Sequence, residues 1–289
     1  MTSPRETTAR LLISCPDRPG IIAAVTGFLH SHGANCTALD QHATEKEGGV
    51  LFMRIEFQTP HLDVSRSSLE EAFGNEVAAK FDMQWRLSYA TDAQRMAIFV
   101  SKHDHVLMDL LWRLHRGDLY AVVPMVISNH PDLEHEVARF GIPYYHVPMV
   151  KGKKHIGEAH MLEIMGDGID VIVLARYMQI LSGSFVDRYV NRIINIHHSF
   201  LPSFAGADPY RQASDRGVKL IGATAHYVTE ELDRGAIIDQ DVVRVNHRQD
   251  PEDMRRLGRD VERSVLARAV RWHLEDRLIV HENKTVVFV

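Results

Sequence analysis

A chain of 289 residues, 45% apolar and 25% charged, with a formal net charge of −5, has the make-up of a globular protein long enough for two domains. No basic excess points to a nucleic-acid or membrane partner, no apolar run reaches the roughly 18 residues of a membrane span, and the opening MTSPRETTAR lacks an apolar signal core, so a cytoplasmic location is expected. Two cysteines without CxxC spacing, Cys15 and Cys36, and 18 histidines without an HExxH pattern predict neither a disulfide scaffold nor a metal site.

Leu11 to Ser14 predicts a short strand, and Cys15-Pro16-Asp17-Arg18-Pro19-Gly20 a turn. Ile21, Val25, Phe28 and Leu29 then recur at helical spacing, with Pro19 suited to the first turn and Gly33 to the position just past the end. Asn35 to Ala43 and Val50 to Phe57 read as strands separated by the glycines at 48 and 49. A helix over 67–81, with Ser67 and Glu70 at capping-box spacing, and a strand over 83–89 complete a β-α-β-β-α-β order. That order is the ferredoxin-like split unit, spanning residues 8–89.

The polar TDAQR at 91–95 reads as a linker to a second domain over 95–289. Strands are expected at 96–101, 122–128, 144–147, 171–174 and 193–196, alternating with helices at 106–114, capped by Asp104, then 133–140 and 156–165. Near-continuous apolar strands of this kind build a parallel, Rossmann-like doubly wound α/β sheet, whose ligands lie beyond the carboxyl ends of the strands. Farther on come a strand over 223–228, a long helix over 252–274 and a closing hairpin turned at 282–284.

Three polar residues stand at that carboxyl edge. Asn195 and His197 lie two apart on one strand and share a face, and Asp233 follows another strand just before Gly235. An amide, an imidazole and a carboxylate form a proton-transfer set with an oxyanion donor. Spacing alone equally allows a turn-capping Asn, a structural His and a turn Asp.

The segment NIHHSFLP, followed by GATAHYVTEELDRGAIIDQ, resembles the folate-dependent formyltransferase family. The matching positions are Asn195, His197, Ser199, Leu201, Pro202, His226, Val228, Asp233 and Gly235, and LARYMQILS at 174–182 is similar to the family's folate-contacting loop. DRPGIIAAVTGFLHSHGAN resembles the opening of an ACT domain, and ACT followed by a formyltransferase-like half is the layout of the formyltetrahydrofolate deformylases. VSKHDHVLMDLLWR and VISNHPDLEHEVARFGIPYYHVP are similar to the same family.

This resemblance implies hydrolysis of 10-formyltetrahydrofolate to formate and tetrahydrofolate, without a cofactor, supplying formate for purine synthesis and balancing one-carbon folate pools. Asn195 and His197 would stabilise the oxyanion, and Asp233 would orient water and accept its proton. Met178, Ile180 and Leu181 would line the pterin slot, with Thr229 near its polar edge. His198 either holds the attacking water or packs on the opposite strand face. His226 either bonds Asp233 or sits in the core. In the ACT domain, Asp17, Arg18, Gly20 and Asn35 would take an amino-acid effector, or the domain would only dimerise; a homo-oligomer is expected either way. The family's glycinamide ribonucleotide transformylases hold a nucleotide phosphate on a Gly-rich turn, whereas this chain has Ser101-Lys102-His103-Asp104-His105 there, which favours water as acceptor. Formyl transfer to an amine, or an amino-acid-responsive binding protein with an inactive catalytic half, are the alternatives. Ala236, Asp208 and Ser182-Gly183-Ser184 depart from the family pattern.

Overall fold

The computed structural model describes residues 4–46, 48–203 and 209–289. They form two units, each with its own core. Asp208 lies outside the described residues.

The first unit begins with β1 (Thr8–Pro16), α1 (Ile21–Ser31), β2 (Asn35–Ala43), β3 (Val50–Gln58), α2 (Arg66–Glu76) and β4 (Gln84–Tyr89). Its sheet runs β2-β3-β1-β4, antiparallel throughout. The apolar face of α1, with Ile21, Val25, Phe28 and Leu29, packs on Leu11, Ile13, Met53 and Ile55. The cap of α2 is Ser65, whose hydroxyl accepts from the Ser68 backbone, and not the expected Ser67. Ser65 is the residue in extended backbone, where a side-chain oxygen reaches the first free N–H groups.

The chain's tail divides differently from the 95–289 expectation. Residues 275–281 and 286–289 group with the first unit. Asp276 is buried there, accepting hydrogen bonds from Arg86 and, at 2.5 Å, from Ser88, while its carbonyl takes Arg54 Nε at 2.8 Å. The strands of the first sheet present these groups on the face away from the apolar core.

The second unit comprises Gln94–Leu274 and Glu282–Thr285. Its elements are β5 (Gln94–Val100), α3 (His105–Arg116), β6 (Ala121–Ser128), α4 (Glu134–Ala138), β7 (Tyr144–His146), α5 (Lys154–Met165), β8 (Val171–Ala175), α6 (Gly183–Val186), β9 (Ile193–His197), α7 (Pro209–Asp215), β10 (Leu220–Tyr227), β11 (Ile237–Arg244) and α8 (Pro251–Leu274). A hairpin of β12 (Leu278–His281) and β13 (Lys284–Val287) closes the chain.

The large sheet has the order β11-β10-β9-β8-β5-β6-β7. The strands β5 to β9 are parallel, and β8 is buried along its whole length. At one edge, however, β10 pairs antiparallel with both β9 and β11, so the sheet is mixed and not wholly parallel. Residues 228–236 are too few for the crossover of a dozen or more residues that a parallel pair needs. β11 was not legible as a strand because IIDQDVVR is only half-buried and carries two aspartates.

Candidate active site

The carboxyl ends of β8 and β9 and the β10–β11 connection enclose a cavity of about 320 Å³. Asn195, His197, His198, His226, Thr229 and Asp233 line it, with Met178, Ile180 and Leu181 from the loop after β8. Met178 and Ile180 are 54% and 59% exposed, whereas Leu181 is buried, so the apolar wall runs from the mouth inward. All the residues expected from the catalytic half thus border one cavity.

The antiparallel β9–β10 pairing creates the polar constellation. His226 lies directly opposite Asn195, and Thr224 opposite His197, so side chains from two strands share one face. His226 Nδ1 donates to the Tyr227 carbonyl at 2.8 Å, which leaves Nε2 of the neutral ring to accept from the Asn195 amide at 3.2 Å. This partner fixes which end of the amide carries donors, a choice the sequence leaves open.

Asp233 reaches the same face from the β10–β11 connection. Its backbone is left-handed at φ 56°, which the short polar side chain of Asp tolerates. Two residues on, a Cβ on Gly235 would meet the Tyr227 carbonyl oxygen at 1.7 Å, so only glycine lets the chain pass so close. The carboxylate stands 3.3 Å from His197 Nδ1 and 3.6 Å from His226 Nε2. The bond from His197, then the approach of His226, hold the Asp233 carboxyl well below the usual carboxylate range against the opposing effect of burial. At 3.6 Å the His226 contact is too long for a hydrogen bond, and the His197 contact at 3.3 Å is the principal one. His197 Nε2 is buried and has no hydrogen-bond partner among the described residues.

The loop after β9 is pinned from below. Buried Thr224 donates its hydroxyl to the Ser199 carbonyl at 2.9 Å and accepts from Leu201 N at 3.0 Å and Gln240 Nε2 at 2.9 Å. The loop after β8 is pinned at both ends. Ser101 Oγ accepts from Met178 N at 3.0 Å, and Glu158 accepts from Ser182 N at 2.7 Å and Ser182 Oγ at 2.5 Å. Ser182 in turn caps α6, so the departure at 182–184 keeps a working helix start.

His198 borders the cavity beside His197, their ring centroids 5.3 Å apart, and its ring lies 6.1 Å from that of Tyr210. Burial, then the nearby Arg176 charge, push its imidazole down to about 3, so it is neutral at physiological pH. The chain has left β9 at His198 and no longer alternates there, so the residue borders the cavity.

Sequence reasoning missed a second polar group behind this wall. Glu262 of α8, 1% exposed, accepts from Tyr210 at 2.8 Å and from His105 Nε2 at 2.9 Å and stands 3.5 Å from Arg176 Nε. Burial acts to raise its carboxyl, but the His105 bond and the Arg176 charge outweigh it and hold the group below its ordinary value. Burial and the Glu262 charge raise the Tyr210 phenol far above its usual range, so it remains a donor. A Cβ on Gly258 would lie 2.0 Å from the Tyr210 hydroxyl, so this glycine makes room for the bond. The available signal was a carboxylate within the apolar stripe of α8, between Met254 and Val265.

In the first unit, Asp17, Arg18 and Gly20 share the β1–α1 turn, and Gly20 has φ 96°. Arg18 is turned to the Lys80 carbonyl at 2.5 Å and Asp82 at 3.2 Å. Asn35 does not join them. The register places it opposite Gln58, which pairs with Thr8, whereas the turn leaves from Pro16, paired with Val50. α1 carries the chain back along the sheet, so Asn35 sits eight β3 positions away, about 26 Å at 3.3 Å per residue.

Among the described residues no group of three or more His, Cys, Asp or Glu side chains has the arrangement of a metal site, and no helix is long and apolar enough to cross a membrane.

Comparison with known proteins matches residues 94–270 to the formyl transferase family and residues 9–74 to the ACT domain family. A formyltetrahydrofolate deformylase of Bacillus subtilis is 54% identical over 284 residues, covering 98% of this chain and 94% of that protein. A crystal structure of a formyltetrahydrofolate deformylase from Pseudomonas syringae superposes with a TM-score of 0.95 at 51% identity, covering 98% of this chain and 94% of that one. Glycinamide ribonucleotide transformylase 1 from Symbiobacterium toebii matches less of the chain, 68% against 95% of its own, with a TM-score of 0.65 at 30% identity. Because the similarity to these relatives runs through both matched regions of the chain, it belongs to the formyltetrahydrofolate deformylase family.

Proposed function

We infer that this chain hydrolyses 10-formyltetrahydrofolate to formate and tetrahydrofolate, within one-carbon metabolism and the supply of formate for purine synthesis. The observation that carries the reading is the convergence of Asn195, His197 and Asp233 on one cavity in a chain of this family.

The chemistry follows from that arrangement. Water attacks the formyl carbon, and negative charge develops on the formyl oxygen. The second N–H of the Asn195 amide and the His197 imidazole stabilise that charge. Each such donor is worth roughly 2.7–4 kcal/mol in the transition state. Asp233 orients the water and, through Nδ1, the His197 ring. A carboxylate held so low is a weak base, so the proton it draws from water moves on as the C–N bond breaks. N10 takes one proton, passed through His197, and the second proton of water is released as formate leaves ionised. The reaction balances as formamide plus water to formate, a proton and the free N10 amine.

The apolar wall of Met178, Ile180 and Leu181 takes the flat pterin, with Thr229 at its polar edge. In the first unit, the Asp17–Gly20 turn is the candidate contact for an amino-acid effector, and the exposed edge strand β2 the candidate contact for a homo-oligomer. A cytoplasmic location is part of the same proposal.

Incubating the purified protein with 10-formyltetrahydrofolate and no amine tests the reading. Formate and tetrahydrofolate in equal amounts are expected. Release only on adding an amine would replace hydrolysis by transfer.

A further inference from the structure

The cavity lining includes a cation that the hydrolytic set does not use. Arg176 follows β8 directly, is 9% exposed, and borders the cavity together with Asn195, His197 and His198. Its backbone is left-handed at φ 63°, a region that a long side chain rarely adopts. The conformation is held in place: Ser101 N donates to the Arg176 carbonyl at 3.3 Å, and Met178 N donates to Ser101 Oγ two residues on. Strain of this kind at a cavity wall is a reason to ask what the side chain does.

The guanidinium has spare donors. Its Nε faces Glu262 Oε2 at 3.5 Å as an ion pair without hydrogen-bond geometry, and neither Nε nor Nη1 has a hydrogen-bond partner among the described residues. Glu262 is already engaged by Tyr210 and His105. Buried guanidinium N–H groups without partners are costly, and a planar fork of donors matches a carboxylate in two-point fashion.

We propose that Arg176 forms a small-anion subsite that receives the carboxylate of formate as it leaves the reacting centre. This rests on the hydrolytic reading of the same cavity. Formate is the one anion that hydrolysis creates there. Asp233, a carboxylate kept ionised, borders the same cavity and repels a second carboxylate. Burial, then the Arg176 charge, keep His198 neutral, so of these two lining groups the guanidinium carries the positive charge. Formyl transfer to an amine creates no anion at this step and has no use for such a group.

The test uses the full chain and carbon-13-labelled formate. Formate binding is read from its NMR line width, formate inhibition from initial rates, and tetrahydrofolate affinity from fluorescence, in wild type, Arg176→Gln and the doubly neutral Arg176→Gln/Glu262→Gln. The second variant keeps the test usable if the single one leaves Glu262 unpaired and misfolds. Formate affinity is expected to fall at least tenfold in whichever variant folds, with tetrahydrofolate affinity within twofold of wild type. Equal formate affinity in wild type and a folded variant overturns the subsite, as does wild type that releases formate but does not bind it. Wild type that releases no formate from 10-formyltetrahydrofolate overturns the hydrolytic reading itself, and this outcome is distinct from the others.

Discussion

His226 stands directly across the β9–β10 ladder from Asn195, its Nε2 3.2 Å from the Asn195 amide nitrogen, while its other nitrogen is tied to the Tyr227 carbonyl. The imidazole is thus a fixed strut: the backbone sets its tautomer, and the tautomer sets which way the amide points. His226→Ala is expected to lower kcat by about 10-fold to 10²-fold, less than loss of the donor itself at about 10²–10³-fold in Asn195→Ala. KM should change little in both, and steady-state kinetics of the two variants side by side check the order.

Acid should destabilise the fold through two groups of this site. Asp233 has a folded value below its ordinary one, so its stabilisation is present above about pH 3.9 and is lost as pH falls through the folded value. His198 goes from about 6.5 unfolded to about 3 folded, so between these the unfolded chain binds more protons and stability drops as pH falls. Urea midpoints of wild type and His198→Gln at pH 7.5 and pH 5 should converge toward acid, with the variant losing less. An identical loss in both would show that His198 is not a buried neutral imidazole.

Removing one member of the Glu262 cluster leaves the others uncompensated. Glu262→Ala strands Arg176, His105 and the Tyr210 hydroxyl in a buried site, and the expected cost is about 3–5 kcal/mol. Chemical denaturation measures it directly. Tyr210→Phe removes only a single donor and should cost about 1–3 kcal/mol.

Gly235 tests the backbone that delivers Asp233. With a Cβ only 1.7 Å from the Tyr227 carbonyl oxygen, Gly235→Ala must push the β10–β11 connection away from the sheet. Activity should drop by at least 10²-fold, since a displacement of about 1 Å at a catalytic group has that effect. The Asp233–His197 separation in a crystal structure of the variant would show the cause.

Much of this was legible in residue order. Alternating apolar strands and helices gave both layers of the fold, and the motif around NIHHSFLP placed Asn195, His197 and Asp233 at one sheet edge. What stayed hidden depends on strand direction and register. The antiparallel turn of β10 makes His226 the partner of Asn195, and nothing local in HYVTEELDRG announces it. Register also separates Asn35 from Asp17, although both border α1 in sequence. Arg176, Tyr210 and Glu262 come together only in the folded chain, where Glu262 of α8 meets Tyr210 of α7 and Arg176 just after β8, so three residues from distant segments form one cluster. Their separate sequence signals, such as a carboxylate in an apolar helix stripe, carry no information about partners.

The central claim is that Asp233 directs water onto the formyl carbon while Asn195 and His197 hold the oxyanion. The most direct measurement is single-turnover formate release from 10-formyltetrahydrofolate by wild type and Asp233→Asn, without amine, alongside folate affinity. The variant should bind folate within a few-fold of wild type and release formate about 10²–10⁴ times more slowly. A variant that keeps the wild-type rate, or one that simply no longer binds folate, would contradict the account.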